Sequence, residues 1–431
     1  MPFAGAIALL SYPSTLPLLF KDIFFVIPAY LSYFFRWSNG GLNGHIPKLI
    51  IVIMLALMSM VFFQIFNPLV YNWMVALIGA KVWLFYLPII FLAFSMLKSQ
   101  GDLIKLCRLL VIIAWAPCLI GIAQWILSMT FGYETTMQAF YGTAAAQATQ
   151  EFASFEVGGT FFRIPSTFSF VTQYFGYTLA MIVPAYILKE TEAPKAWCKF
   201  ANISFALIVL ASLLSGARAA YLFVPLLLVL IYVIKGNGRS LIKMMFFIST
   251  ILLVALYIAG IDPIQMFVLI FELIVHYADE IVYKGLVDSI QDSPLGLGTG
   301  MNTGAARFAV LDPSVLSGVE NYYAKAVIEL GLLGLILVVS LFLSLIFYGY
   351  STFRCLKDEK LRGAAAAILA FIITVVLNSF KGWQIDLDPI NVYFWFFAGI
   401  LLKLKYLNLP YRVSTEKINP SINLAFKRDV M

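Results

Sequence analysis

Windows of about 18 to 20 consecutive apolar residues recur along nearly the whole chain, and this pattern limits the fold more than any other feature. A helix of that length crosses the ~30 Å hydrocarbon layer of a bilayer, where every backbone N–H and C=O must be satisfied internally. With 62% hydrophobic and 12% charged residues, the chain is expected to be an all-α polytopic membrane protein. Spans are expected at 3–20, 23–36, 47–66, 79–97, 104–129, 166–188, 199–215, 217–234, 241–260, 320–349, 363–380 and 389–406. That makes about twelve transmembrane helices in a single integral membrane domain, 1–407, followed by a polar cytoplasmic tail, 408–431. The first apolar segment has no basic stretch before it and contains Pro13 and Pro17, so it reads as a span and not as a cleaved signal peptide. Cys107, Cys118, Cys198 and Cys355 show no metal or redox spacing and read as packing residues.

The net charge of +7 sorts by face. One topology puts Arg36 and Lys48, then Lys98, Lys105 and Arg108, then Lys189, Lys195 and Lys199, then Lys235, Arg239 and Lys243 on the inside. It also puts Arg354, Lys357, Lys360, Arg362 and the basic tail there, so by the positive-inside rule both termini are cytoplasmic. The basic charge therefore meets membrane lipids, and no nucleic-acid partner is expected. The opposite face is acidic, so each basic residue on it calls for a reason.

Inside loops are short, whereas two outside segments are long. The first external loop, 130–165, is rich in small residues, and its first half is expected to form a helix lying on the membrane surface. The large periplasmic loop, 261–319, lies between helices 9 and 10 and holds an amphipathic passage from Pro263 to Asp288. In it Pro294-Leu-Gly-Leu-Gly-Thr-Gly300 places glycines at alternate positions, which suits positive φ or close approach of a ligand to Gly298 and Gly300.

Four sets of polar residues, distant in sequence, reach the same outer boundary under this topology. Arg163 precedes one span, and Ser215-Gly-Ala-Arg218 is a tight hairpin between two others. Lys284 and Arg307 flank the glycine turn, and Lys381, Trp383 and Asp386 occupy the last outer loop. Guanidinium groups stay charged and match two phosphate oxygens at once, so two arginines suit a pyrophosphate. Each arginine alone is also explained by snorkelling to headgroups or by pairing with an acid such as Glu156.

If a hydroxyl is to be deprotonated, a base is needed. Of the two histidines, His45 falls inside and His276 reads as solvated. Glu320 stands beside Asn321 and Tyr322 at the start of a span, where partial desolvation would suit a base and where capping the helix is the plainer role. Glu329 is explained by pairing with Lys325 four residues before it. Metal, nucleotide and nucleophile-elbow motifs are absent, so no metal and no cofactor are expected.

At these residues the chain resembles the O-antigen polymerase and O-antigen ligase family of bacterial envelope glycosyltransferases. The likeness rests on Arg163 with Pro-Ser-Thr-Phe after it, Leu214-Ser-Gly-Ala-Arg218, Ser293-Pro-Leu-Gly-Leu-Gly-Thr-Gly, and Glu320-Asn-Tyr-Tyr followed by Glu329-Leu-Gly-Leu-Leu-Gly. It covers residues 160–340. The resemblance implies a twelve-helix fold, a periplasmic site in the bacterial inner membrane and metal-independent transfer from an undecaprenyl-pyrophosphate-linked glycan, and an inverting displacement is the mechanism expected. The resemblance also implies that Arg163 and Arg218 bind the pyrophosphate; Glu320 is the base expected from the residues themselves. Lys284, Gly298, Gly300, Arg307, Asn321, Tyr322 and Lys381 are the expected substrate-binding residues. Ligases of this family carry His before the Asn, and Glu320 stands there instead, which favours a polymerase. The expected partners are the glycan donor, a glycan acceptor and a chain-length regulator protein. A transporter is the rival, and it would place ionisable residues inside the spans, which here read as almost wholly apolar.

Overall fold

The computed structural model describes residues 3–11, 20–38, 45–150, 154–156, 160–191, 194–236 and 262–407, with isolated positions between 238 and 257. The expected tail, 408–431, lies outside the described residues, as do residues 12–19 of the expected span at 3–20 and most of the expected span at 241–260.

The helices in order are α1 (Ala4–Leu10), α2 (Ile27–Ser38), α3 (Lys48–Ile65), α4 (Trp73–Leu84), α5 (Ile89–Met96) and α6 (Gln100–Phe131). Then follow α7 (Tyr133–Tyr141), α8 (Thr143–Gln150), α9 (Val171–Thr191), α10 (Lys195–Leu213), α11 (Ala220–Lys235), α12 (Pro263–His276) and α13 (Gly285–Asp292). The chain closes with α14 (Tyr322–Cys355), α15 (Glu359–Asn378) and α16 (Ile390–Leu407). A short antiparallel ribbon, β1 (Ser154–Glu156) with β2 (Thr160–Phe162), pairs Phe155 with Phe161.

Among the described residues, 8 helices are long and apolar enough to cross a membrane: α3, α4 with α5 taken together, α6, α9, α10, α14, α15 and α16. Asp22–Phe35 and Ala220–Lys235 are apolar but shorter. The expected span at 79–97 begins earlier, at Trp73, and is broken between Leu84 and Ile89.

The core forms around α9, whose apolar window is 89% buried between α6, α10, α15 and α16. Helices approach closely where side chains are smallest: a Cβ on Gly399 of α16 would meet the Ile90 backbone of α5 at 3.1 Å. Cys107 and Cys118 pack in this core, whereas Cys198 is half-buried and Cys355 is exposed, so packing explains only two of the four.

Both long loop segments pack in part onto the bundle. Helices α7 and α8 bury Met137, Tyr141 and Ala146, and the Tyr141 hydroxyl donates to the Ser166 carbonyl. These are packed helices, and not the single surface-lying helix expected for this loop.

The largest departure from simple spans lies in α14, which is broken at Gly331 (φ +78°, ψ −179°). The break frees backbone groups inside the bundle, and the glycine turn satisfies them. Leu332 N–H donates to the Pro294 carbonyl at 2.9 Å, and Leu297 N–H donates to the Ile328 carbonyl at 2.6 Å.

Candidate functional site

Arg163 sits in a segment pinned on every side. Ile164 N–H donates to the Ser215 carbonyl at 2.9 Å, and Ser166 Oγ donates to the Pro117 carbonyl at 2.6 Å. The Ser215 carbonyl belongs to the α10–α11 hairpin, whose turn is closed by Ser215 Oγ donating to the Ser212 carbonyl at 2.7 Å. At Gly216 (φ +74°) a Cβ would lie 2.7 Å from Arg163 Cα, so only glycine lets the two strands of chain touch. Arg163 and Arg218 are therefore held at the same end of the bundle, the former half-buried and the latter exposed.

Lys381 joins them from the loop between α15 and α16. Burial holds its ammonium well below the usual lysine range, at about 8, and Arg218 and Arg163 push the same way while Glu320 opposes them. Four charges that are far apart in sequence thus act on one another at one place. Gathering three cations costs free energy that a bound anion would offset.

The other expected residues divide. Glu320 is exposed, so the desolvation expected of it is absent, and it does not cap α14. Asn321 does so: its side-chain oxygen accepts from Tyr323 N–H at 2.9 Å and Ala324 N–H at 3.2 Å. Tyr322 is buried, packing on Trp83 (ring centroids 5.4 Å) and on Phe342, and so reads as core and not as a ligand contact.

Gly298 and Gly300 have positive φ (+96° and +93°), but what approaches them is protein. A Cβ on Gly298 would meet the Asn67 side chain at 3.0 Å, and one on Gly300 would meet the Val75 carbonyl carbon at 2.8 Å. The turn is wedged against α3 and α4, with Gln64 and Asn67 donating to the carbonyls of Leu295 (2.8 Å) and Gly296 (3.1 Å). Its glycines serve packing.

Lys284 is exposed and paired with Glu280 at 2.6 Å and Asp279 at 3.3 Å. Those hydrogen bonds, the one to Glu280 first, raise its pKa. Arg307 is exposed on the 3₁₀ turn Gly304–Ala309, which packs on α4. Neither Lys284 nor Arg307 is among the charges acting on Lys381.

Glu329 and Lys325 do not pair with each other. Glu329 accepts from Trp83 Nε1 at 2.7 Å, Asn302 N–H at 2.9 Å and Thr303 Oγ1 at 2.8 Å, tying the glycine turn to two helices. Lys325 pairs with Asp386, whose carboxyl burial pushes up to about 6 against the pull of that ammonium.

A second network joins the buried Lys21, Asp22 and Tyr86 to the half-buried Asp388 and the exposed Lys81. Lys21 Nζ lies 2.8 Å from Asp22 and 2.6 Å from Asp388, and Lys81 Nζ lies 2.7 Å from Asp22. Lys21-Asp22 looks in sequence like a bare connector between apolar segments, and nothing local announces Asp388 as its partner. Lys21 and Asp22 lie between the expected spans 3–20 and 23–36, and Asp388 lies just before the span 389–406; of these charges only Lys81, which is exposed, falls within an expected span.

Among the described residues, no set of three or more His, Cys, Asp or Glu side chains could hold a metal ion. In comparisons with known proteins, no family model and no curated protein matches the chain.

Proposed function

We propose that the protein is a membrane glycosyltransferase that extends an undecaprenyl-pyrophosphate-linked oligosaccharide at the loop end of the bundle, on the periplasmic side of a bacterial inner membrane. The observation that carries this reading is the gathering of Arg163, Arg218 and Lys381, with Glu320 beside them, from three separate loops. Guanidinium pairs match the two phosphoryl groups of a pyrophosphate, and a polyprenyl pyrophosphate brings its own leaving group to a compartment without nucleotide-sugars. The transfer inverts the anomeric centre: the cations hold the departing pyrophosphate while an acceptor hydroxyl attacks from the opposite face. A twelve-span fold with both termini cytoplasmic belongs to the same proposal, and so does the resemblance to the O-antigen polymerase and ligase family.

Deleting the gene tests it. Loss of long chains with single units still attached supports a polymerase. Loss of all attached glycan, with lipid-linked polymer accumulating, assigns the protein as a ligase. Unchanged glycan sinks both.

Lys381 gives the site a pH dependence. Its ammonium is charged below about pH 8 and is lost as pH rises through that value, so one cation leaves the anion site. Affinity for inorganic pyrophosphate is expected to fall about tenfold or more between pH 7 and pH 10. Lys381→Arg should flatten this profile, and titration calorimetry across that range checks it.

One observation favours a second reading, transport of an anionic glycolipid. A helix broken at Gly331, inside an apolar span, is a feature of transporter sites. Reconstituted vesicles separate the two: translocation without chain extension assigns transport.

A further inference from the structure

Trp383 stands two residues after Lys381 in the loop between α15 and α16, and its indole Nε1–H donates to the Val319 carbonyl at 2.8 Å. Val319 directly precedes Glu320, whose charge acts on the Lys381 ammonium together with those of Arg218 and Arg163. The indole is therefore tied at its nitrogen to the same stretch of chain that brings Glu320 to the cation cluster. Sequence adjacency puts Trp383 beside Lys381, and a hydrogen bond puts it beside Glu320.

The ring is also held in place. Its six-membered part rests on Gly304, where an added Cβ would lie 3.4 Å from Cζ3 and 3.9 Å from Cε3. The loop that carries it is pinned to α14 at two points: Tyr322 N–H donates to the Ser379 carbonyl at 3.0 Å, and Asp386 pairs with Lys325. Trp383 is nevertheless only half-buried, and its one polar side-chain atom is already used. Among the described residues, no cation and no second aromatic ring packs on the indole. A fixed, partly open apolar surface beside three gathered cations suits an occupant that is apolar on one side and anionic on the other.

We infer that Trp383 is the platform for the sugar ring joined to the pyrophosphate, stacking on its C–H face while Arg163, Arg218 and Lys381 hold the phosphates. The inference rests on the glycosyl-transfer reading above and adds a sugar subsite to it. Ring hydrogens of a pyranose carry partial positive charge and meet the negative face of the indole, and the contact removes apolar surface from water. The exposed Glu320 carboxylate stands at the rim, where it accepts from a sugar hydroxyl. Because the ring is already fixed, ordering it costs little on binding.

The test uses the full-length protein in lipid nanodiscs and two probes: undecaprenyl pyrophosphate, which has no sugar, and undecaprenyl-pyrophosphate-linked oligosaccharide. Trp383→Leu keeps apolar bulk against Gly304. It is expected to weaken binding of the sugar-bearing probe about tenfold and to leave binding of the bare pyrophosphate unchanged. Trp383→Phe keeps a flat ring but loses the bond to Val319, and it should retain most of the affinity for the sugar-bearing probe. A purely structural role for that bond predicts instead that Phe and Leu fail alike on both probes. A tryptophan that only anchors the loop at the membrane interface predicts that both variants bind both probes as the unaltered protein does. Either result overturns the inference. Failure of the unaltered protein to bind either probe, or to transfer from the second, overturns the glycosyl-transfer reading instead.

Discussion

Replacing Arg163 or Arg218 with alanine is expected to slow chain extension by about two to three orders of magnitude while the bundle stays folded. Each guanidinium would stabilise charge that develops on the departing pyrophosphate, so its loss acts mainly on the rate of the chemical step. The two are held through backbone contacts, Ile164 N–H to the Ser215 carbonyl and Gly216 against Arg163 Cα, and neither contact involves the arginine side chains. Truncating those side chains leaves both backbone contacts in place. Arg→Lys at either position keeps the charge but loses the fork of donors, and it should recover only a fraction of the rate. Purified variants assayed on lipid-linked oligosaccharide, with thermal unfolding measured in parallel, check both statements. Full activity in Arg218→Ala would remove that residue from the mechanism.

Gly331→Ala is expected to damage the fold itself. At φ +78° and ψ −179° the backbone is in a region that only glycine visits readily. An added Cβ would also lie 2.7 Å from the Leu295 carbonyl carbon and 2.8 Å from the Pro294 oxygen. These are backbone atoms that accept and shape the break in α14, so they cannot turn aside as a side chain would. Strain and overlap together should cost about 3 kcal/mol or more. A large fall in the unfolding midpoint in detergent, with loss of the folded peak in size-exclusion chromatography, is the expected result. Gly318→Ala, in the loop before the same helix, gives a useful contrast: an added Cβ there meets open space, and no positive φ is required. It should be tolerated better.

How far the site could be read from sequence differs residue by residue. Arg163 and Arg218 were legible because each stands at the end of an apolar segment of bilayer length, which sets its depth before any tertiary contact forms. Lys381 followed from the same reasoning. The glycines of the 294–300 turn were legible as backbone devices, but what comes close to them is Asn67 and Val75, more than 200 positions earlier in the chain. Tyr322 sits beside Glu320 in sequence, yet its ring turns inward to Trp83 and Phe342. For Glu329, helix spacing pointed to Lys325, the nearest opposite charge. The break at Gly331 and the turn wedged into it instead supply three better donors from Trp83, Asn302 and Thr303.

By itself the amino-acid sequence determined that this chain is a bundle of apolar helices and which loops carry cations. Hydropathy is a local sum over about twenty residues, and bilayer thickness converts it directly into helix positions. Only the tertiary structure decided which buried charge meets which and that the glycine turn fills a broken helix. Those outcomes depend on how helices pack side by side, a geometry set by many small contacts at once and by no single stretch of residues.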